Sequence, residues 1–273
     1  MSLKEDSVKV QGRLTHFWET GTQHRQSILL LHGGLGDAWL NWSAAMPLLA
    51  DGFHVIAPDL PGYGQSDSLP GLSVQKLLDW TKGFLEARQL EQTVVIGHSF
   101  GALLARLFTA QNPKLVPALV LVSGGGIPDI PRLSRFVGGL PVLGNRIFTR
   151  ISQAASAKHG LETVVHTKNI LTDAFVNRVR TSVKAQAALR RALSITAIPD
   201  NWTPRVPVLM LWGEHDTVVP LSVGERIQQN IPGAKLNVIA DCGHLPHIEA
   251  SEVFDFQVTN FLNELNKARR PDR

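Results

Sequence analysis

Gly97-His98-Ser99-Phe100-Gly101 has the form Gly-x-Ser-x-Gly, with a serine between two glycines. A serine hydroxyl held out on a tight turn at the start of a helix can attack a carbonyl carbon once a neighbouring base takes its proton. Glycines suit the flanking positions because side chains there would collide with the adjoining strand or helix. Taken alone, the pentapeptide also fits a plain strand-to-helix turn with a capping serine. Two further segments favour the chemical reading. Leu211-Trp212-Gly213-Glu214-His215-Asp216 ends an apolar run on a carboxylate, and Asp241-Cys242-Gly243-His244 follows the next run with an imidazole. The order Ser99, Asp216, His244 is the nucleophile, acid, histidine order of one large group.

Such groups must be carried to one place by the elements between them. Residues 8–18 alternate roughly with period two and predict an antiparallel strand or hairpin. Buried strands are expected over 28–31, 53–57, 93–96 and 118–122. Helices are expected over 38–50, 72–88 (with Ser73 as N-cap) and 99–111. The rhythm breaks at Gly124-Gly125-Gly126 and resumes with strand 206–212, helix 221–230, strand 235–239 and helix 251–266. Strands alternating with helices define an α/β class with a mostly parallel central sheet and helices on both faces. Residues 1–126 and 204–273 form its expected core. Residues 127–203 show only helical patterns and read as an inserted helical cap. In an open parallel sheet, functional groups gather beyond the carboxyl ends of the strands, which is where Ser99, Asp216 and His244 fall.

Charge sets the insert apart. It holds eleven Lys and Arg side chains against four acids (Asp129, Glu162, Asp173 and Asp200), a balance of +7 in a chain whose total is +4. A one-signed cleft can draw in anionic substrates, and Arg190 and Arg191 are candidates for such a field. The 273-residue chain is otherwise ordinary, with 44% hydrophobic and 18% charged residues, which excludes a largely disordered protein. No basic cluster with interleaved aromatics suggests nucleic acid. The single cysteine, Cys242, excludes an intrachain disulfide framework and a multi-thiolate zinc site. The first ten residues lack the apolar stretch of a signal peptide, and no apolar run approaches the ~18 residues of a membrane span. The expectation is a soluble, cytoplasmic protein acting on a small molecule, its oligomeric state open.

Several separate motifs together resemble the α/β-hydrolase family over nearly the whole core. His32-Gly33-Gly34 after the first buried strand is similar to that family's oxyanion loop. Asp59-Leu60-Pro61-Gly62-Tyr63-Gly64-Gln65-Ser66-Asp67 resembles its Asp-x-x-Gly-x-Gly-x-Ser segment, and Gly243-His244 with Glu249 resembles the stretch around its histidine. The insert falls where many members carry a cap. The resemblance implies Ser99 as nucleophile, His244 as general base and then acid, and Asp216 as the group orienting its imidazole. It places the backbone N–H of Phe100 in an oxyanion hole, with Gly34 or Leu35 supplying the other half.

Other patterns carry less. Gly34-x-Gly36 with Asp59 mimics a dinucleotide fingerprint, but Trp39 occupies the third glycine position, and no Walker lysine follows any glycine loop, so no cofactor is expected. His215, Asp216, His244 and His247 lack a His-Glu-x-x-His helix, and no metal is assigned to them. His32 and His98 read as local packing and hydrogen bonding, and Asp59 and Asp67 as loop stabilisers. Leu35, Trp39, Phe136 and Phe148 are candidates to line an apolar substrate pocket, with core packing an equal alternative. The reaction expected is hydrolysis of small to medium carboxylic esters through an acyl-enzyme. The alternative is C–C bond hydrolysis of an acidic diketone-type substrate, or slow-turnover ligand reception on the same fold. Against the C–C reading, Ser99-Phe100-Gly101-Ala102 departs from the Ser-Met-Gly-Gly common in such enzymes, and Leu245 stands where they often have tryptophan.

Overall fold

A computed structural model describes residues 2–127, 129–196 and 202–268. Its strands are β1 (Lys4–Val10), β2 (Arg13–Thr20), β3 (Ser27–Leu31), β4 (His54–Pro58), β5 (Val94–His98), β6 (Leu119–Val122), β7 (Val208–Gly213) and β8 (Lys235–Ile239). They form one sheet in the order β1-β2-β4-β3-β5-β6-β7-β8, antiparallel at β1, β2 and β4 and parallel beyond. The helices are α1 (Ala38–Trp42), α2 (Met46–Leu49), α3 (Val74–Ala87), α4 (Phe100–Gln111), α5 (Arg132–Gly139), α6 (Pro141–Ala155), α7 (Lys158–Glu162), α8 (Asp173–Thr181), α9 (Val183–Ile195), α10 (Leu221–Asn230), α11 (Pro246–Glu249) and α12 (Ser251–Ala268).

The central strands are short apolar runs because both of their faces are covered. Alternate side chains divide between two cores. Leu29, Leu31, Val95, Leu119, Leu121 and Met210 face a core completed by α3, α4 and α10, while Ile28, Leu30, Val94, Ile96, Val120 and Leu211 face α1, α2 and α12. The expected α/β layering is therefore present. One local expectation is met and one changes. The opening alternation is the β1–β2 hairpin, turned at Gln11 (φ 51) and Gly12 (φ 79) inside the expected run. The helix expected over 38–50 divides into α1 and α2 because Pro47 lacks an N–H and its ring obstructs the preceding turn.

Between β6 and β7 the described residues hold α5 to α9, a 3-10 turn (Lys168–Ile170) and no strand. Residues 197–201 of the expected insert, with Asp200, lie outside the described residues, as does residue 128. A third apolar cluster fastens this segment to the sheet's carboxyl edge: Leu161, Val164, Val165, Leu171, Val176 and Val179 pack with Leu245, Leu35 and Leu40. Polar links reinforce it. Arg178 Nε lies 2.8 Å from both Asp37 carboxylate oxygens, and Thr217 Oγ1 donates to Thr163 O at 2.7 Å.

Candidate active site

Ser99 joins β5 to α4 at φ 53, ψ −113, a region that non-glycine residues enter at a cost of about 1–3 kcal/mol. Surrounding bonds hold it there: its N–H donates to Val122 O at 2.9 Å, and its carbonyl accepts from Ala102 and Leu103 N–H. A Cβ at Gly97 would lie 2.2 Å from Gly101 O, and one at Gly101 would lie 2.1 Å from Leu31 O. Both glycines are thus required by close backbone approach.

His244 Nε2 is 2.9 Å from Ser99 Oγ, and His244 Nδ1 is 2.9 Å from Asp216 Oδ2. A carboxylate only accepts, so Nδ1–H donates to Asp216 and the Nε2 lone pair faces the serine hydroxyl. Asp216 Oδ1 accepts from Val218 and Val219 N–H, each at 2.9 Å, which fixes the carboxylate. Both Asp216 and His244 are buried, whereas Ser99 is half-buried. Parallel pairing of β7 with β8 sends the two loops out of the same sheet edge as β5. This arrangement can move a proton from hydroxyl to imidazole as the oxygen attacks an electrophile.

The loop after β3 is set by His32. Its Nε2 accepts from Leu60 N–H at 2.9 Å, so Nδ1 carries the proton and donates to Gly33 O at 2.8 Å. Burial holds its pKa below the usual imidazole value, consistent with a neutral ring serving both bonds. Tyr63 OH donates to Gly34 O at 3.3 Å. Phe100 is the first residue of α4, where N–H groups have no intrahelical acceptor. Leu35 packs in the third apolar cluster.

Ser99 opens into a cavity of about 820 Å³ whose lining includes Phe100, Leu103, Arg106, Leu193, Val223 and Arg226. None of the four side chains expected to line a pocket is among its walls. Leu35 lines a separate apolar gap of about 10 Å³. Trp39 packs on Trp18 with ring centroids 4.4 Å apart and planes tilted by 50°, Phe136 is 68% exposed on α5, and Phe148 is buried in α6 away from the cavity. The eleven basic residues of the insert do not line it either; the insert contributes Asp129 there, and the cavity's arginines come from α4 and α10. The spacing of Val219, Val223, Ile227 and Asn230, on and just before α10, was the available sequence signal for this wall.

Glu249 has a larger part than its place in a motif suggested. Oε2 accepts from His166 and Thr167 N–H, each at 2.8 Å, and Oε1 accepts from Gly243 N–H at 3.0 Å and Leu245 N–H at 3.3 Å. It ties the His244 loop to the insert, and His244 N–H donates to Val164 O at 2.8 Å across the same seam. Of the four residues weighed for a metal, Asp216 and His244 are bonded to each other, and His215 and His247 make separate contacts. His247 is wholly buried against Trp42 and His98, where burial lowers its pKa to about 3, while His215 is exposed and stacked on His166.

A family model described as "Alpha/beta hydrolase family" matches residues 28–256. The chain is 30% identical over 262 residues to 2-hydroxy-6-oxononadienedioate/2-hydroxy-6-oxononatrienedioate hydrolase 2 of Pseudomonas putida, covering 90% of this chain and 91% of that protein. It is similar to a meta-cleavage product hydrolase structure from Pseudomonas fluorescens at 26% identity and a TM-score of 0.76, over 95% of this chain and 98% of the other. A serine hydrolase from Cycloclasticus zankles shares the fold, with a TM-score of 0.76 at 21% identity over 97% and 99% of the two chains. No helix among the described residues is long and apolar enough to cross a membrane.

Proposed function

The chain belongs to the alpha/beta hydrolase family, and from that premise we propose that it is a serine hydrolase cleaving a C–C bond beside a ketone in a conjugated oxo acid. The observation carrying this reading is the 30% identity to a dienedioate hydrolase across nine-tenths of both chains. Ester hydrolysis, which the sequence alone favours, becomes the second reading.

Ser99 Oγ attacks the ketone carbon while His244 Nε2 takes its proton, and Asp216 holds the imidazole in the required tautomer. The oxyanion meets the N–H groups of Phe100 and Gly34 at the start of α4 and in the loop after β3. Collapse breaks the C–C bond. In the 2-oxo tautomer, whose 2-hydroxyl proton has moved to the carbon beside the ketone, that bond's electron pair is delocalised through the remaining double bond onto the 2-oxo group, and the proton held by His244 passes to carbon. Water, deprotonated by His244, then hydrolyses the acyl-serine to a carboxylic acid. Arg106 and Arg226 in the cavity wall supply the positive charge that suits an acidic substrate. Residues 127–203 act as a cap that keeps bulk water from the carbanion-like transition state.

Ester cleavage uses the same groups and a better leaving group. Two departures favour it: Ala102 follows Gly101, and Leu245 follows His244, its side chain packed into the third apolar cluster. A comparison of kcat/KM for a 2-hydroxy-6-oxo dienedioate and for p-nitrophenyl butyrate separates the readings. The proposal requires the dienedioate to be the better substrate. An ester preferred by tenfold or more, with no C–C cleavage, contradicts it and supports the carboxylesterase.

A further inference from the structure

His166, His215 and Asp241 come from three different segments: the insert before its 3-10 turn, the loop after β7 and the loop after β8. One ligating atom from each lies within 4.8 Å of the other two, and all three side chains are exposed. The imidazoles of His166 and His215 are stacked with centroids 4.3 Å apart and planes 21° from parallel. Glu214 adds a second carboxylate 3.7 Å from His215 Nε2.

We propose that these side chains form a divalent transition-metal site, of the zinc class, that clamps the inserted segment to the loops carrying Asp216 and His244. The donor set is two imidazoles and a carboxylate, which suits zinc and its neighbours rather than the all-oxygen preference of magnesium or calcium. Metal–ligand bonds of about 2.0–2.2 Å place tetrahedral ligands roughly 3.4 Å apart. The three donors need to close by no more than about 1.4 Å, which side-chain rotation at the surface supplies.

The backbones beneath are already fixed. His166 N–H is held by Glu249, His215 N–H donates to Cys242 O at 2.8 Å, and Asp241 N–H reaches the Glu214 carboxylate at 3.4 Å. Asp241 sits at φ 54, a conformation that persists in a non-glycine residue when its surroundings impose it. Only the side chains need to be ordered when an ion binds, so the entropic cost of assembling the site is small.

The consequence follows from position. His215 precedes Asp216, Asp241 is three residues before His244, and His166 is two residues after Val164, whose carbonyl accepts the His244 N–H. An ion bound here cross-links the insert to both loops and stabilises the folded, closed arrangement by mass action. The site does not depend on which substrate the enzyme takes.

The test is calorimetric titration of zinc chloride into chelator-treated full-length protein at pH 7.5, with His166→Ala and His215→Ala in parallel and thermal melts with and without zinc. The site predicts one ion per chain, at least about tenfold weaker binding in each variant, and a zinc-dependent rise in Tm that His166→Ala loses. Zinc-free melts of the variants should match wild type, since both side chains are exposed. Absence of binding, or binding unchanged in both variants, overturns the site. Variant-sensitive binding without any gain in Tm overturns the clamp. Neither readout uses turnover, so failure here is distinct from failure of the proposed reaction.

Discussion

His98 donates its Nε2–H to the backbone carbonyl oxygen of His244 at 2.9 Å. The side chain between Gly97 and Ser99 therefore props the loop that carries the imidazole facing Ser99. Burial pushes the His98 pKa well below 6.5, and the positions of His247 and His244 act in the same direction, so the ring stays a neutral donor at neutral pH. Replacing it with alanine removes the support and orphans the carbonyl. His98→Ala is expected to lower kcat by about 10–100-fold with little change in KM, since small misplacements of a reacting group are costly. Steady-state kinetics on folded protein check this, and an unchanged kcat contradicts a positioning role.

Asp216→Asn presents an N–H where His244 Nδ1 needs an acceptor. The expected fall in kcat is about 10³–10⁴-fold with the fold retained. Asp59→Asn should instead act on stability, because Asp59 accepts from His16 Nδ1, Ala38 N–H and Gln65 N–H and bonds to none of Ser99, His244 and Asp216. Kinetics and melts of the two variants side by side test the assignment. A larger kcat loss for the Asp59 variant would reverse it.

The His16–Asp59 pair, 2.9 Å apart, gives a pH signature. The hydrogen bond to Asp59 raises the His16 pKa above 6.5 despite partial burial. Burial raises the Asp59 carboxyl, but its bonds from His16 and backbone N–H groups and the nearby His32 bring the net pKa below 3.8. A raised histidine contributes stability that is complete below 6.5 and fades as pH rises through the folded value. A lowered carboxyl contributes stability present above 3.8 that fades as pH falls through its folded value. The Tm difference between wild type and His16→Gln should therefore be widest, by a few degrees, between about pH 4 and 6.5 and shrink by pH 9. A difference that grows with pH contradicts the pairing.

Glu249→Gln leaves an amide N–H₂ facing backbone donors that a carboxylate now serves on both oxygens. A loss of about 2–4 kcal/mol in unfolding free energy is expected, read by urea denaturation. Unaltered stability would mean that the seam between the His244 loop and the insert does not depend on this carboxylate.

Cys242 is 2% exposed, and burial together with Glu249 and Asp241 raises its thiol pKa to about 11. Native protein should react with a disulfide reagent at pH 8 at least about a hundredfold more slowly than urea-unfolded protein. Equal rates would contradict the buried thiol.

The meeting of Ser99, Asp216 and His244 was legible because each follows a strand, and parallel strands deliver their carboxyl ends to one edge. His32 and His98 were legible as local hydrogen-bonding groups because each adjoins a glycine-rich turn. The cavity wall was not legible. Phe136 and Trp39 have pocket-like side chains, yet one projects to solvent and the other packs against Trp18, and only the packing of helices decides between such fates. Val223 and Arg226 lie on α10 and become wall through the placement of that helix beside Ser99. The cluster of His166, His215 and Asp241 spans 75 residues of sequence, and no local spacing announces it.

The central claim is that Ser99 is the nucleophile of this hydrolase, and the most direct measurement is the kcat of purified Ser99→Ala on a substrate the wild type turns over. The account predicts a fall of about 10³–10⁶-fold with Tm unchanged. A variant that keeps a tenth of wild-type kcat, in protein free of contaminating wild-type enzyme, would contradict it.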